Sequence, residues 1–82
     1  MERRVLEISP LSDGTGLRIA GDLDLHSARE LTAALRGFQT DGDVWLDMTE
    51  VTFIDSSGLT SILSFAHSRD ENRKVVVVDL QL

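Results

Sequence analysis

The sequence has no cysteine and only one proline among its 82 residues. The lack of cysteine excludes disulfides and thiolate metal sites, and it fits a reducing compartment. Basic residues are also few, eight against 14 acidic ones, and they are scattered, whereas nucleic-acid-binding proteins cluster them. No apolar run approaches the ~20 residues of a membrane span. We therefore expect no direct contact with nucleic acid and no insertion into a membrane.

The rest of the composition is that of a folded protein, with 41% hydrophobic and 27% charged residues. No linker, repeat or low-complexity segment interrupts the chain, so residues 1–82 are expected to form a single domain. A domain of this size buries only about 60–65% of its unfolded surface, which leaves a thin margin of stability. The two arginines near the N-terminus precede no apolar run, so we do not expect this segment to be a signal peptide.

The first half of the chain predicts a hairpin followed by a helix. Alternating apolar residues and the turn signal at residues 12–16 indicate two antiparallel strands between Val5 and Ala20. Ser27 is a candidate N-terminal cap for a helix that ends around Gly37 and residues 39–42. One face of this helix carries the apolar residues Ala28, Leu31, Leu35 and Phe38.

The second half predicts two further strands, one on each side of a second helix. Val44–Met48 is a strand in which Trp45 faces away from its apolar neighbours and packs under a helix, and Thr49-Glu50 is a short turn. The run Val75–Val78 is apolar on both faces, which is typical of a strand inside a sheet covered on both sides. Each of the last two strands follows a helix, so right-handed crossovers should make them parallel. The predicted fold class is therefore α/β with a mixed four-stranded sheet.

The most informative stretch is residues 53–59. Asp55, Ser56 and Ser57 offer side chains that can accept hydrogen bonds from free amides at a helix start. A helix is predicted over residues 57–67, because apolar residues recur there at the spacing of one buried face. These residues are Leu59, Ile62, Leu63 and Ala66. A helix N-terminus favours an anion, so a serine there is well placed to carry a phosphate, although ordinary capping explains the same residues.

The two histidines complete no catalytic or metal-binding motif. A Ser-His-Asp site remains an alternative, because triads assemble in space and in any chain order. The chain has no Gly-x-Ser-x-Gly elbow, however, and His26 and His67 show no metal-ligand spacing. A P-loop is also absent. We therefore expect no enzyme activity, no cofactor and no metal.

Two motifs together resemble the STAS family. Asp55-Ser56-Ser57-Gly58-Leu59 is similar to the family signature, and Gly21-Asp22-Leu23-Asp24, followed by Ser27-Ala28, is similar to a second recurring stretch. The resemblance covers nearly the whole chain and implies a STAS-like (SpoIIAA-like) fold. Family members usually continue with further helices, whereas this sequence ends at Leu82. We expect a C-terminally short domain that lacks the usual C-terminal helix and pairs with a second copy through its uncovered last strand.

The resemblance implies an anti-sigma factor antagonist, which binds an anti-sigma factor with serine kinase activity and so releases a sigma factor. The kinase would phosphorylate the first serine after the aspartate, here Ser56, and the phosphorylated protein would dissociate. The residues implied in partner binding are Asp22, Asp24, Ser27, Asp55, Ser57 and Gly58. The alternative is a non-phosphorylated STAS adaptor subunit of a lipid-transport ATPase or of a signalling assembly. Either protein is expected in the cytoplasm.

Overall fold

Four strands and two helices make up the described part of the chain. The computed structural model describes residues 4–38, 42–69 and 73–78. In chain order the elements are β1 (Glu7–Pro10), β2 (Gly16–Leu23), α1 (Ala28–Gly37), β3 (Val44–Ile54), α2 (Ser56–His67) and β4 (Val75–Val78). The element order predicted from the sequence is confirmed.

The strands form one mixed sheet in the order β1-β2-β3-β4. β1 runs antiparallel to β2, with Ile8 opposite Ile19, which confirms the hairpin. The Leu11 amide closes the turn between them by donating to the Gly16 carbonyl at 2.9 Å. β3 is parallel to β2 and β4 is parallel to β3, as expected for strands that each follow a helix. The predicted α/β class with a mixed four-stranded sheet is therefore confirmed.

Both helices share one core with one face of the sheet. Leu31 and Leu35 of α1 are almost completely buried, and Phe38 packs at the margin, so the predicted apolar face of this helix is confirmed. α2 contributes Ile62 to the same core. The inward side chains of the sheet are Leu6, Leu17, Ile19, Leu23, Val44, Leu46 and Met48.

β3 is one continuous strand of 11 residues, so the turn predicted at Thr49 and Glu50 is wrong. Arg18 of β2 lies opposite Asp47, but Ala20 lies opposite Glu50, so β3 carries an extra residue between these pairs. A second shift of the same kind follows near the end of the strand. Each bulge moves the inward positions along by one residue. The inward residues of β3 are accordingly Val44, Leu46, Met48, Val51 and Ile54.

The first bulge is held by the side chain of Asp47. Its Oδ1 accepts hydrogen bonds from the Thr49 amide at 3.0 Å and from the Thr49 hydroxyl at 2.6 Å. Because these bonds favour the charged form, the pKa of Asp47 lies below its ordinary value, with a smaller effect from the positive charge of Arg18. The same Asp-x-Thr arrangement in the β1–β2 turn lowers the pKa of Asp13 through bonds from Thr15.

Two sequence predictions fail on the other face of the sheet. Trp45 points to this face and is 42% exposed, so it does not pack under a helix. β4 lies at the edge of the sheet rather than inside it, and its valines are only partly buried. Trp45 stays exposed because crossovers of one hand place α1 and α2 together on the opposite side of the sheet. β4 is at the edge because no described strand pairs with its other side. Pairing of β4 with a second copy and the lack of a C-terminal helix stay predictions. Residues 79–82, which follow β4, lie outside the described residues.

α2 buries a narrower face than its sequence predicts. Ile62 is 5% exposed, whereas Leu59 and Leu63 are 42% and 52% exposed. Of the four residues predicted to share the buried face, Leu59 and Leu63 were therefore assigned wrongly. Gly58 is buried instead, because the helix turns this side chain-free position towards the sheet.

The neighbouring residues Ile62 and Leu63 provide a direct test of this orientation. We expect Ile62→Ala to lower the free energy of unfolding by about 2–5 kcal/mol, because it leaves a cavity in the core. Leu63→Ala should cost less than about 1 kcal/mol, because its side chain is half exposed. Urea denaturation measures both values. Equal losses would mean that α2 buries Leu63 as well.

The hydrogen bonds from Thr49 to Asp47 predict how the stability of the fold depends on pH. Because its folded-state pKa is below the ordinary 3.8, the Asp47 carboxylate stabilises the fold above that pH, and the contribution disappears as the pH falls through the folded-state pKa. Thr49→Val removes the hydroxyl donor and should raise the pKa of Asp47 towards 3.8. A carboxyl carbon NMR titration measures the change. Thr15→Val is the control, since it should raise the pKa of Asp13 and leave that of Asp47 unchanged.

Candidate functional site

The two motifs singled out in the sequence meet at one edge of the sheet. Leu23 and Ile54, the last residues of the parallel strands β2 and β3, lie side by side. The Asp55 amide also donates to the Leu23 carbonyl at 3.1 Å, which ties the two strand ends together. The loops that follow, residues 22–27 and 55–58, are therefore neighbours, and we call them the carboxyl edge.

Asp55 caps the N-terminus of α2. Its backbone is extended, and its Oδ1 accepts hydrogen bonds from the amides of Ser57 at 2.9 Å and Gly58 at 3.1 Å. The cap predicted for Asp55, Ser56 and Ser57 as a group thus belongs to Asp55 alone. Ser56 occupies the first position of the helix and is exposed, and its hydroxyl has no hydrogen-bond partner within the described residues. The Ser56 hydroxyl is therefore accessible from solvent.

Gly58 lets the first turn of α2 approach the end of β2. A Cβ atom at this position would lie 2.5 Å from Leu23 Cγ and 2.8 Å from the Leu23 carbonyl oxygen. These distances leave no room for any side chain. Gly58 was expected in partner binding, but it is buried and acts by holding α2 in place.

Ser27 fastens the loop that precedes α1. Its hydroxyl donates to the Asp22 carbonyl at 2.8 Å and accepts from the Asp24 amide at 2.9 Å. Asp24 Oδ1 in turn accepts from the amides of His26 at 2.9 Å and Ser27 at 3.1 Å. Ser27 stands at the N-cap position but makes no side-chain cap bond, and it is completely buried. The expectation that its side chain caps α1 is corrected, since the hydroxyl shapes the loop instead. Its contact with a partner stays a prediction.

Asp22 connects three segments of the chain. Its Oδ1 accepts from the Thr52 hydroxyl at 2.6 Å, and its Oδ2 accepts from the Arg4 amide at 3.0 Å. With Asp24 and Asp55, it forms a set of three partly buried carboxylates, each bonded to backbone or hydroxyl donors of the protein itself. The structure thus brings the three predicted aspartates to one edge, where each has a structural task.

Exposed apolar side chains lie in and next to the two loops of the carboxyl edge and along α2, and the sequence reasoning missed their role. Leu25, inside the first loop, is 69% exposed, and Phe53, near the end of β3, is 53% exposed. Leu59 and Leu63 follow Ser56 by three and seven residues, so they lie on the same side of α2. We call these four leucine and phenylalanine residues the apolar rim. An available signal was Leu25, an apolar residue placed inside a polar turn.

The carboxyl edge presents the Leu25 side chain and the Ser56 hydroxyl to solvent. Neither His26 nor His67 forms a hydrogen bond with a serine side chain in the described segments. Across residues 4–38, 42–69 and 73–78, no group of three or more histidines and acids could hold a metal ion. Neither helix in this part of the chain is long and apolar enough to cross a bilayer. The adjoining depression on the sheet is open and is lined by residues of both charges, including Arg18 and Glu50.

Alanine substitutions at two helical glycines should change the stability of the fold in opposite directions, because only Gly58 lies in a close contact. Gly58→Ala should destabilise the fold by about 1–3 kcal/mol, because the new methyl group meets Leu23. Gly37→Ala should be stabilising by up to about 1 kcal/mol, because a Cβ there meets nothing and alanine favours the helix. Thermal and urea unfolding measure both effects. A neutral Gly58→Ala variant would contradict the contact.

Comparison with known proteins agrees with this geometry. Residues 8–81 match the family model described as "Mlab, STAS domain". No curated protein matches the chain.

Two solved structures share the fold. The antisigma-factor antagonist STAS domain from Rhodobacter sphaeroides superposes with a TM-score of 0.64 at 21% identity, over 94% of this chain and 87% of that one. An anti-sigma factor antagonist from Mycobacterium paratuberculosis superposes with a TM-score of 0.72 at 17% identity, over 89% of this chain. The match spans 64% of the mycobacterial protein. The four-stranded mixed sheet, the two helices and the match over residues 8–81 lead to one conclusion: the chain belongs to the STAS family.

Proposed function

We propose that the protein is an anti-sigma factor antagonist whose binding is switched by phosphorylation of Ser56. In its unmodified form it binds an anti-sigma factor with serine kinase activity in the cytoplasm, and a sigma factor is released. The kinase then transfers the γ-phosphoryl group of ATP to the Ser56 oxygen, which yields ADP and a proton, and the complex dissociates. The protein itself is the substrate of this reaction and has no catalytic part in it.

The observation that carries this proposal is the exposed, unbonded hydroxyl of Ser56 beside the apolar rim. A partner that buries Leu59 and Leu63 would also cover Ser56, since the three residues lie on one side of α2. An uncharged hydroxyl is tolerated in such an interface. A phosphate carries roughly −1.5 to −2 charges at neutral pH and loses much of its hydration there, which is costly.

The local hydrogen bonds make the added charge harder to accommodate. The amides of Ser57 and Gly58 already donate to Asp55, so they are not free to bind a phosphate on Ser56. The carboxylates of Asp24 and Asp55 add repulsion from the two loops of the carboxyl edge. The phosphate would therefore project towards the partner, and the effect of the modification would fall mainly on binding.

The matching family model gives reason for a second candidate. Its description names an Mlab STAS domain and no sigma-factor partner. The candidate is a non-phosphorylated STAS adaptor subunit of a lipid-transport ATPase or of a signalling assembly. In that case the apolar rim would hold the partner permanently, and charge at Ser56 would not regulate it. A neighbouring gene for a histidine-kinase-like ATPase favours the switch, and neighbouring permease genes favour the adaptor.

The switch predicts distinct behaviour for variants of Ser56. Incubation with the neighbouring kinase and ATP should add one phosphate to the Ser56 peptide, detected by mass spectrometry, and Ser56→Ala should remain unmodified. In calorimetric titrations Ser56→Ala should bind the kinase like the unmodified protein, whereas Ser56→Asp should bind more than about a hundredfold more weakly, which corresponds to about 3 kcal/mol.

A matched control separates a local effect from a general effect of charge. Ser12→Asp adds the same charge in the exposed β1–β2 turn, at the opposite end of β2. This variant should bind the kinase with unchanged affinity. Equal affinities for the unmodified protein and Ser56→Asp would remove the switch and leave the adaptor.

A further inference from the structure

A trough runs along the outer surface where α1 and α2 meet. One part, of about 290 Å³, lies beside Leu25 and Ala33, and it adjoins a smaller recess of about 100 Å³ beside Phe65. The two parts share Thr32 and Ser61, one from each helix. Of the residues assigned above to the carboxyl edge or to the apolar rim, only Leu25 lines the trough.

The hydroxyls of Thr32 and Ser61, which line both parts of the trough, are bonded within the protein. The Thr32 hydroxyl donates to the Ala28 carbonyl at 2.9 Å and lies 3.1 Å from the Ser61 hydroxyl, which donates to the Ser57 carbonyl at 3.2 Å. Covering these two hydroxyls therefore leaves no unsatisfied donor at either of them, and beside them a ligand meets the apolar side chains of Leu25, Ala33 and Phe65. Leu25, which is 69% exposed, adds apolar surface at one end.

Two arginines border the trough. Arg29 and Arg36 line the trough and are seven residues apart on α1, which places them about 10.5 Å apart along the helix axis. Both are exposed, and neither guanidinium has a hydrogen bond or an ion pair within the described chain. By contrast, Arg18 pairs with Glu50 at 3.5 Å. The fold has thus gathered two of the scattered basic residues on one surface of a chain with a net charge of −6.

We propose that this trough binds an acidic amphipathic helix of a partner protein. A groove between two helices accepts the convex apolar side of a third one. Glutamates or aspartates seven residues apart on the bound helix would match the spacing of Arg29 and Arg36. A concave trough with charge on its border fits a helix better than the flat surface of an anionic membrane. The proposal does not depend on Ser56 or on the sigma-factor reading.

A synthetic helix serves as the probe. It is a 21-residue amphipathic peptide with leucines on one face and glutamates seven residues apart beside them, together with a matched peptide that carries glutamine in place of glutamate. Fluorescence anisotropy at low salt should show saturable binding of the acidic peptide. The double variant Arg29→Gln/Arg36→Gln should weaken this binding about tenfold, as expected for the loss of two exposed ion pairs. It should leave the binding of the glutamine peptide unchanged.

The controls fix the position and the class of ligand. Arg18→Gln removes the same charge from the other face of the sheet and should bind the acidic peptide normally. Amide chemical-shift changes on binding should centre on Thr32, Ala33 and Ser61. No saturable binding up to about 1 mM, equal binding by the double variant, or shifts confined to the carboxyl edge would each overturn the proposal. Tighter binding to anionic phosphatidylglycerol vesicles than to the peptide, lost in the double variant, would assign the trough to a membrane surface instead.

Discussion

The position of the candidate site depends on the close contact between the first turn of α2 and the end of β2. The Asp55 amide is bonded to the Leu23 carbonyl, and Gly58 lies against the Leu23 side chain with no room for a Cβ atom. Once this side of the helix faces the sheet, the opposite side must face solvent. Ser56 and Leu59 are on that opposite side, so the contact that anchors the helix also exposes the hydroxyl and part of the apolar rim.

The bulges of β3 prepare this contact. Without two extra residues, the alternation of a regular strand would break the match between its inward positions and the core. With them, Val51 and Ile54 both pack against the core, and Ile54 ends beside Leu23. Asp47 holds the first bulge by accepting two bonds from Thr49. A local polar interaction in the middle of the strand therefore supports the position of a loop at its end.

The acidic residues at the carboxyl edge mainly organise the protein itself. Asp22, Asp24 and Asp55 accept hydrogen bonds from the chain, in each case from donors that a turn, a helix start or a neighbouring segment leaves available. The resemblance to the STAS family identified these residues. The structure brings them together, because Leu23 and Ile54, which precede Asp24 and Asp55, lie side by side at the ends of parallel strands. The resemblance could not separate structural residues from contact residues. Ser27 looked like a surface cap and is buried, whereas the apolar residue Phe53 lies in β3 and is exposed.

Local patterns in the sequence were enough to determine the order of elements, the hairpin, the buried face of α1 and the parallel crossovers, since each depends on periodicity or on chain connectivity. Tertiary structure alone decided which surfaces are covered. Trp45 and Leu63 are apolar residues in regular positions, and both remain exposed because no described element packs over them. Likewise, only the packing of α1 against α2 brings Arg29 and Arg36 to the border of an apolar trough. Exposure is a property of distant neighbours, which sequence spacing does not record.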